Sequence, residues 1–397
     1  MLLLKSFVYS ALWLLEMSNK RVLIVDDSCL FQRLLSEVIS AHKGMEVVGV
    51  ASNGKIALSM MESTRPDVVT LDILMPEMDG FQTLIELRKN WPDVKTLMIS
   101  SLTSEGSDAA LDALALGASE HASKPSSGSG INSLRECMEN DILAKVEALC
   151  GLEVQKVPPI AKAPAQVTVD KAALPRTAST SAAIDLIAIG VSTGGPDALA
   201  KLLSTLPGDI GVPIVIVQHM PAEFTAKLAT RLDTVSKLTV VEAQLGHKLR
   251  AGTVYIAPGN YHMVLDQIDA DVIVSLNMDQ PENSCRPSVD PLFRSIPPIY
   301  RNRCLGVIMT GMGADGLNGC QELSAEGCPI IVQDQVTSVV WGMPKLVAMA
   351  GLALEQVPID ELSDVITRYV RGSQVPEHLT AANSDKYNHS AVAGRRS

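Results

Sequence analysis

Two series of short apolar runs, one in each half of the chain, constrain the fold more than any other feature of the sequence. In both series the runs alternate with stretches of helical character. Uninterrupted apolar runs are typical of parallel strands that helices cover on both faces. The sequence therefore predicts an α/β protein with two doubly wound parallel-sheet sandwiches.

A stretch rich in Pro, Ala, Ser and Thr separates the two series, as expected of a flexible linker. The chain of 397 residues is also longer than one hydrophobic core usually supports. We predict a first domain over residues 18–149, a linker over 150–183, a second domain over 184–371 and a disordered tail over 372–397. The apolar segment 1–17 is too short to span a bilayer, and we interpret it as an extension that a mis-called start codon would explain.

Composition argues against several kinds of partner. The formal net charge is -11 and Lys and Arg form no cluster, which argues against nucleic acid. The seven cysteines are scattered and include no C-x-x-C pair, so we expect reduced thiols and no zinc site. We therefore expect a cytoplasmic protein with no nucleic-acid partner and no stable membrane insertion.

Three aspartates follow predicted strands of the first half. Asp26 and Asp27 follow the first apolar run, and Asp72 follows a later one. In an open parallel sheet such residues meet in the crevice at the carboxyl ends of the strands. Three anions in one crevice repel one another, and a hard divalent cation such as Mg²⁺ would relieve that repulsion.

Two further strand ends in the first half supply partners for a phosphoryl group. Ser100 offers a hydroxyl and Lys124 offers a cation. Each aspartate by itself could merely cap a helix, as strand-terminal aspartates often do. The combination of an acidic pair, a third aspartate, a hydroxyl and a lysine favours a phosphorylation site instead.

The stretch Asp72–Gly80 and the order of these strand ends resemble the response-regulator receiver family, from residue 21 to about residue 149. The resemblance implies a flavodoxin-like fold that accepts a phosphoryl group from a histidine kinase and uses Mg²⁺ for this reaction. The implied roles are phosphate acceptor for Asp72, metal ligand for Asp26, Asp27 and Asp72, switch hydroxyl for Ser100, phosphoryl-pairing cation for Lys124, and a cis proline at Pro125.

The second half opens with an apolar strand that leads into a glycine-rich turn around Ser192. Gly190 and Gly194 flank this serine in a G-x-S-x-G pattern, in which a sharp strand-to-helix turn exposes the hydroxyl. Pro196 suits the first turn of the following helix. A similar turn can also cradle a phosphate or a dinucleotide, so the motif alone leaves both interpretations open.

Histidine and aspartate partners for Ser192 are sought at other strand ends. His219 directly follows a buried strand and is the candidate general base. His247 and His262 fall at loop-like positions, where they could line a substrate groove or simply face solvent. Asp315 follows a further strand and could orient His219, while the glycine turn around it could aim N–H groups at an oxyanion. The order Ser, His, Asp differs from that of the α/β-hydrolase fold.

Four motifs of the second half resemble the chemotaxis protein-glutamate methylesterase family: Gly190–Gly195, Val217–Pro221, Tyr255–Gly259 and Thr310–Gly316. The resemblance implies a Rossmann-like methylesterase domain. The implied roles are nucleophile for Ser192, base for His219, orienting acid for Asp315 and oxyanion donor for the Met312 N–H, and Val191 stands where the family often has Ala.

The resemblance further implies a substrate. It points to γ-glutamyl methyl esters on the cytoplasmic helices of methyl-accepting chemoreceptors, with release of methanol and deamidation of selected receptor glutamines. Both reactions are acyl transfers through a seryl ester, and the esterase chemistry needs no cofactor. A receiver tethered over the hydrolase crevice could be released when Asp72 is phosphorylated.

Two other functions stay open from the sequence. The chain could hydrolyse another protein or small-molecule carboxyl ester with the same triad. It could also be a phosphorylation-controlled binding module in which Ser192 only shapes a phosphate loop. The module is the weaker alternative, because the third glycine of G-x-G-x-x-G and the acidic ribose partner are missing.

Overall fold

A computed structural model of the protein describes residues 19–101, 104–124, 131–152 and 183–372. The predicted N-terminal extension, most of the predicted linker, Pro125 and nearly all of the predicted tail lie outside the described residues.

The apolar runs of the first half form one parallel sheet, whose central strands are buried because helices cover both faces. The strands β1 and β3 lie side by side, with Val25 opposite Leu71, so the residues that follow them emerge at the same edge. The strands are β1 (Lys20–Val25), β2 (Met45–Ala51), β3 (Val68–Asp72), β4 (Lys95–Ser101) and β5 (Glu120–Lys124), in the order β2-β1-β3-β4-β5.

Side-chain caps start three helices of this half. The side-chain oxygens of Ser28, Asn53 and Asp79 each accept a backbone N–H of the first helical turn, which satisfies a donor that the helix itself leaves free. The helices are α1 (Cys29–Ala41), α2 (Gly54–Thr64), α3 (Gly80–Asn90), α4 (Ser104–Ala115), α5 (Ile131–Cys137) and α6 (Leu143–Leu149), with a π-helical turn, Met138–Ile142, between the last two.

Helix α3 begins so close to strand β3 that only glycine fits at its first position. A Cβ atom at Gly80 would lie 2.3 Å from the carbonyl oxygen of Asp72. The glycine of the Asp72–Gly80 motif therefore allows the helix to start directly against the strand that carries Asp72.

The second half forms a larger sheet in which all recorded pairings are parallel, in the order β14-β13-β12-β6-β7-β9-β8. Together the two parallel sheets confirm the predicted fold class. The strands are β6 (Leu186–Val191), β7 (Ile214–Gln218), β8 (Thr239–Glu242), β9 (Thr253–Ile256), β10 (His262–Ile268), β11 (Asp271–Asn277), β12 (Cys304–Ile308), β13 (Ile330–Gln333) and β14 (Glu355–Val357).

The strands β10 and β11 form a separate antiparallel hairpin, which the sequence analysis did not predict. The hairpin packs against the helix that begins at Val289 and covers part of the core with Met263, Leu265 and Val274. Its buried positions alternate with half-buried ones, and Asp266–Ile268 and Asp271 are exposed, so it lacks the continuous buried run that marks the central strands.

The helices of the second half cover both faces of its sheet. Gly194 precedes the first of them with a φ of 76°, a left-handed conformation that favours glycine, and Pro196 occupies the first helical turn as predicted. Of the helices within the described ranges, none is both long and apolar enough to cross a membrane. The helices are α7 (Gly195–Thr205), α8 (Ala222–Val235), α9 (Val289–Ser295), α10 (Pro297–Tyr300), α11 (Leu317–Ala325), α12 (Met343–Met349) and α13 (Ile359–Arg371).

The two halves contact each other through α4 of the first and α7 and α8 of the second. Arg231 on α8 donates to the Leu111 carbonyl at 2.7 Å and pairs with Asp112 at 3.0 Å. The ring of His121 lies 4.6 Å from that of Phe224, centroid to centroid. Because α8 follows His219 closely in the chain, this interface lies on the same helix that leaves the predicted hydrolase site.

Candidate phosphoacceptor and hydrolase sites

The strand ends of the first sheet bring the predicted phosphorylation residues together. The ammonium of Lys124 lies 2.6 Å from Asp26 Oδ2 and 2.8 Å from Asp72 Oδ2. Asp26 and Asp72 are buried, whereas Asp27 is exposed. Ligand oxygens of these three aspartates all lie within 4.8 Å of one another, which fits the oxygen-rich site that a hard divalent cation prefers.

Burial and charge both act on these carboxylates. Burial raises the pKa of Asp72 to about 6, and the neighbouring Asp26 and Asp27 raise it too, although Lys124 opposes them. Burial also raises the pKa of Asp26. One lysine therefore does not neutralise the three aspartates, and a bound cation would favour their ionised forms.

Ser100 lies where the switch hydroxyl is predicted. It is 2% exposed, and its Oγ has no hydrogen-bond partner among the residues that the structure describes. A buried hydroxyl without a partner is costly. Its neighbour Ile99 pairs with Asp72 across the sheet, so a phosphoryl group on Asp72 would offer this hydroxyl an acceptor.

In the second sheet, the ends of β6 and β7 and the loop after β12 meet at one edge. The His219 N–H donates to the Val191 carbonyl at 3.1 Å, and the Ser192 N–H donates to the Thr310 carbonyl at 3.0 Å. The three segments that carry the predicted nucleophile, base and acid are thus tied together by backbone hydrogen bonds.

His219 and Asp315 form a direct pair at 2.6 Å between Nε2 and Oδ2. Their side chains are 11% and 1% exposed, so the pair is largely shielded from water. The Asp315 carboxylate is held on its other sides by short contacts, including those from the Val289 N–H at 2.6 Å and the Ser288 hydroxyl at 2.7 Å. An acid held in this way can orient the imidazole.

The pair changes the proton affinity of both residues. Burial lowers the pKa of His219, but hydrogen bonds and charge from Asp315 and Cys285 outweigh it and raise this pKa to about 10. Burial raises the pKa of Asp315, but contacts with His219, Val289 and Ser288 outweigh it and hold this pKa below its usual value. The pair therefore favours the imidazolium, the form that His219 takes after it accepts a proton.

The structure does not join Ser192 to His219 by a hydrogen bond. In the described part of the chain, the ring nitrogen that Asp315 leaves free, Nδ1, instead faces Cys285 Sγ at 3.5 Å. Ser192 is half-buried at the start of the turn before α7. Transfer of a proton from Ser192 to His219 would therefore require Nδ1 to exchange the thiol for the hydroxyl. Cys285 was not predicted as a site residue, because in the sequence it is only one of seven scattered cysteines.

The glycine turn around Met312 packs closely against the nucleophile. A Cβ atom at Gly311 would lie 2.8 Å from Ser192 Cβ and 2.5 Å from Met343 Sδ, so the approach requires glycine. Over the described residues, the Met312 N–H has no hydrogen-bond acceptor. A free N–H beside the nucleophile is the donor that an oxyanion needs.

Gln218 is a second residue that the sequence analysis missed. It is 2% exposed at the end of β7, and its side-chain amide donates to the carbonyls of Ser192 at 2.9 Å and His219 at 3.1 Å. One side chain thus fixes the spacing of the nucleophile and base segments. A polar residue at the end of an otherwise apolar strand, directly before the candidate base, was the signal that could have identified it.

His247 and His262, both predicted to lie in loops, occupy different environments in the structure. His262 is buried at the start of β10, where Nε2 lies 3.1 Å from the Gln280 carbonyl and Nδ1 accepts the Ser288 N–H at 3.3 Å, so its interpretation as a loop residue was wrong. His247 does lie in a loop, with Nδ1 accepting the Gln244 N–H at 3.3 Å.

These sites and sheets define a class of protein: a response-regulator receiver joined to a hydrolase domain of the methylesterase type. The response regulator receiver domain model matches residues 22–134, and the CheB methylesterase model matches residues 187–366. Both matches agree with the resemblances found in the sequence.

Relatives define the family more closely. A protein-glutamate methylesterase/protein-glutamine glutaminase of Trichodesmium erythraeum (strain IMS101) is 41% identical over 354 residues, which are 89% of this chain and 100% of the relative. One of Nocardioides sp. (strain ATCC BAA-499 / JS614) is 42% identical over 367 residues, covering 91% and 99%. The chain therefore belongs to the protein-glutamate methylesterase/protein-glutamine glutaminase family.

A solved structure, the CheB methylesterase catalytic domain of Thermotoga maritima, is 39% identical, with a TM-score of 0.46, and the match covers 47% of this chain and 99% of that one.

Proposed function

We propose that this protein removes methyl groups from γ-glutamyl methyl esters of methyl-accepting chemoreceptors, releasing methanol, and that it deamidates receptor glutamines. The observation that carries the proposal is the shielded His219–Asp315 pair at the strand ends beside Ser192, in a chain of this family. We further propose that the protein acts in the cytoplasm, where the receptor helices and a histidine kinase would be its partners.

The first half of the reaction acylates the serine. Ser192 Oγ attacks the ester carbonyl carbon while Nδ1 of the neutral form of His219 takes its proton in place of the Cys285 contact, since Asp315 occupies Nε2. Asp315 stabilises the imidazolium, and the Met312 N–H donates to the developing oxyanion. The bond to the methoxy group then breaks, and the methoxy oxygen takes the proton from His219 and leaves as methanol.

The second half of the reaction releases the glutamate. Water attacks the seryl ester, its proton passes to His219, and the ring returns a proton to Ser192 Oγ as the acyl bond breaks. With a glutamine side chain the leaving group of the first half is ammonia, and every other step is the same. One set of residues therefore serves both activities.

Phosphorylation of Asp72 would control this chemistry. Asp26, Asp27 and Asp72 would hold Mg²⁺, which supplies positive charge for the phosphoryl oxygens when it is bound. Lys124 would pair with the phosphoryl group and Ser100 would donate its hydroxyl to it. The esterase residues form no comparable oxygen cluster within the described ranges, and their proposed chemistry uses no metal.

The contact between the two halves supports regulation by release of the receiver. Helix α4 of the receiver rests on α7 and α8, which flank the segments that carry Ser192 and His219. We propose a receiver over residues 18–149 and a catalytic domain over 184–371, joined by the linker at 150–183, so that the receiver can leave without separating from the chain.

A fluorophosphonate probe, which reacts with activated serines, tests the nucleophile. The proposal expects labelling of the wild type at Ser192 and none of Ser192→Ala. Equal labelling of both would contradict the assignment. Methanol release from methylated receptor tests the substrate separately, because a labelled enzyme that releases no methanol would be a hydrolase of another carboxyl ester.

A further inference from the structure

The catalytic aspartate has a second buried carboxylate beside it. Asp290, on α9, is 0% exposed, and Asp315 is 1% exposed. The side-chain amide of Asn283 donates to both, at 3.1 Å to Asp290 Oδ2 and 3.0 Å to Asp315 Oδ1. Among the described residues, Asn283 is the one side chain with hydrogen bonds to both carboxylates.

Two buried carboxylates that contact the same amide repel each other strongly, because water is excluded from both. Burial raises the pKa of Asp290, and the charge of Asp315 raises it further, whereas the Gly319 N–H and Asn283 oppose this. Arg294 is the nearby cation that lowers this pKa, and the buried Cys320 thiol faces both acids from α11. The Asn283 amide therefore bridges two buried carboxylates that repel each other.

The loop that carries Asn283 also reaches the base. Asn283 has a φ of 50° and Ser284 a φ of 63°, and asparagine tolerates this left-handed region better than most residues. Backbone hydrogen bonds between Glu282 and Cys285, at 2.8 and 3.2 Å, close the turn. The same turn thus presents Asn283 to Asp315 and Cys285 to His219.

We propose that Asn283 is a positioning residue of the esterase: its amide bridges Asp290 and Asp315 and so holds Asp315 in place against His219. This inference rests on the proposed function and names a residue on which that function depends. Asn283 is itself exposed, so its replacement creates no buried cavity, and Ser284→Ala, which places alanine at the neighbouring positive φ of the same turn, controls for backbone strain. Without the amide, the repulsion from Asp290 would displace Asp315 from His219, and the imidazolium would be less stabilised.

The test is a double-mutant cycle on the full chain with Asn283→Ala and Asp290→Asn. The readouts are the rate of fluorophosphonate labelling of Ser192, kcat and KM for methanol release, and the pH dependence of both rates. We expect Asn283→Ala to slow labelling and lower kcat roughly tenfold with little change in KM, because a hydrogen bond to a charged group is lost. We also expect the acidic limb of its pH profile, which reports protonation of His219, to move to lower pH, because a weaker contact with Asp315 lowers the pKa of His219.

The double variant gives the decisive comparison. In Asp290→Asn alone, the introduced amide faces the amide of Asn283. In the double variant, the same substitution removes the charge of Asp290, which the lost Asn283 amide no longer compensates. We expect the double variant to label faster than Asn283→Ala and to recover the wild-type acidic limb. Asn318→Ala is the matched control, because Asn318 contacts Asp290 at 3.3 Å without contacting Asp315, and its labelling rate should stay within about twofold of wild type.

Two results would overturn the inference: wild-type labelling and pH dependence in Asn283→Ala, or a double variant whose defect is the product of the two single defects. Thermal unfolding of each variant checks that the fold is retained. If the wild type is labelled at Ser192 but releases no methanol from methylated receptor, the proposed substrate alone is contradicted, and this inference still stands on the labelling rates of the variants.

Discussion

At the scale of single residues, the proposed mechanism depends most on the His219–Asp315 pair. Because Asp315 contacts Nε2 of His219, Nδ1 is the nitrogen left for the nucleophile. The short contact with Asp315 also favours the protonated ring. The sequence predicted that the two residues would lie together because each follows a strand, and strand ends of a parallel sheet share one edge.

Replacing Asp315 by Asn should remove the charge that stabilises the imidazolium while keeping the side-chain shape. We expect the labelling rate of Ser192 and kcat to fall by roughly 10³- to 10⁴-fold, the effect of this change in serine proteases. The measurement is fluorophosphonate labelling over time. Asp271→Asn, which removes an exposed carboxylate paired with Lys248, is the control and should keep its activity. Loss of less than tenfold in Asp315→Asn would contradict the assigned role.

The same pair predicts how stability depends on pH. The folded-state pKa of His219 is about 10, above the unfolded-state value of about 6.5. The contribution of the pair is therefore complete below pH 6.5 and is lost as the pH rises through about 10. Urea denaturation should show a larger difference in free energy of unfolding between wild type and His219→Gln at pH 6 than at pH 10.

A matched control for this experiment is His247→Gln, which changes a loop histidine whose Nδ1 accepts a backbone N–H. Its difference from wild type at each pH is the reference for the loss of a histidine outside the pair. If the difference for His219→Gln grew as the pH rose, the sign of the His219 shift would be wrong.

Cys285, Gln218 and Asn283 show what residue patterns could not predict. Cys285 and Asn283 belong to a tight turn after an irregular segment, and their contacts with His219 and Asp315 depend on the path of that turn. Gln218 could have been singled out by its position, but the two carbonyls that it joins belong to segments that follow different strands. Such contacts depend on tertiary packing, which local sequence does not determine.

At the scale of elements, the central strands were predictable and the hairpin β10–β11 was not. The buried strands of both sheets are continuous apolar runs, whereas the hairpin mixes buried and exposed positions along each strand. His262 was therefore read as a loop residue, although it begins β10 and is buried. The lesson is that short amphipathic strands outside the main sheet give a weaker signal than buried ones.

The contact between α4 and α8 makes a prediction about regulation. Arg231→Ala removes the hydrogen bond to the Leu111 carbonyl and the ion pair with Asp112. We expect this change to weaken the docking of the receiver and to raise the unphosphorylated esterase rate a few-fold, as measured by methanol release without a phosphodonor.

The control for Arg231→Ala is Arg371→Ala, which removes an exposed arginine paired with Asp209 in the catalytic domain alone. It should leave the unphosphorylated rate unchanged. An unchanged or lower rate in Arg231→Ala would contradict the proposed inhibitory contact, and phosphorylation would then have to act in another way.

At the scale of the whole molecule, the chain combines two candidate sites of different chemical composition. The receiver site is a cluster of carboxylates with a lysine, while the hydrolase site is a shielded imidazole–carboxylate pair. The division into two α/β units followed from the sequence because each unit has its own series of apolar runs. The contact between the two units did not follow from the sequence, because it is formed by helix surfaces and no sequence pattern indicates which helices pack together.

Removal of Mg²⁺ should separate the two sites. With EDTA present, we expect no phosphorylation of Asp72 by a small-molecule phosphodonor, because its pKa is raised by burial and by neighbouring carboxylates that the cation would neutralise. Labelling of Ser192 in the unphosphorylated protein should continue at the same rate. A basal labelling rate that depends on Mg²⁺ would contradict this division.

The central claim is that phosphorylation of Asp72 controls an esterase whose nucleophile is Ser192. The most direct measurement is methanol release from methylated receptor, with and without a phosphodonor, for wild type, Ser192→Ala and Asp72→Asn. We predict that the phosphodonor accelerates the wild type, that Asp72→Asn keeps only the basal rate, and that Ser192→Ala releases no methanol. Methanol release by Ser192→Ala, or equal acceleration of Asp72→Asn, would contradict the account.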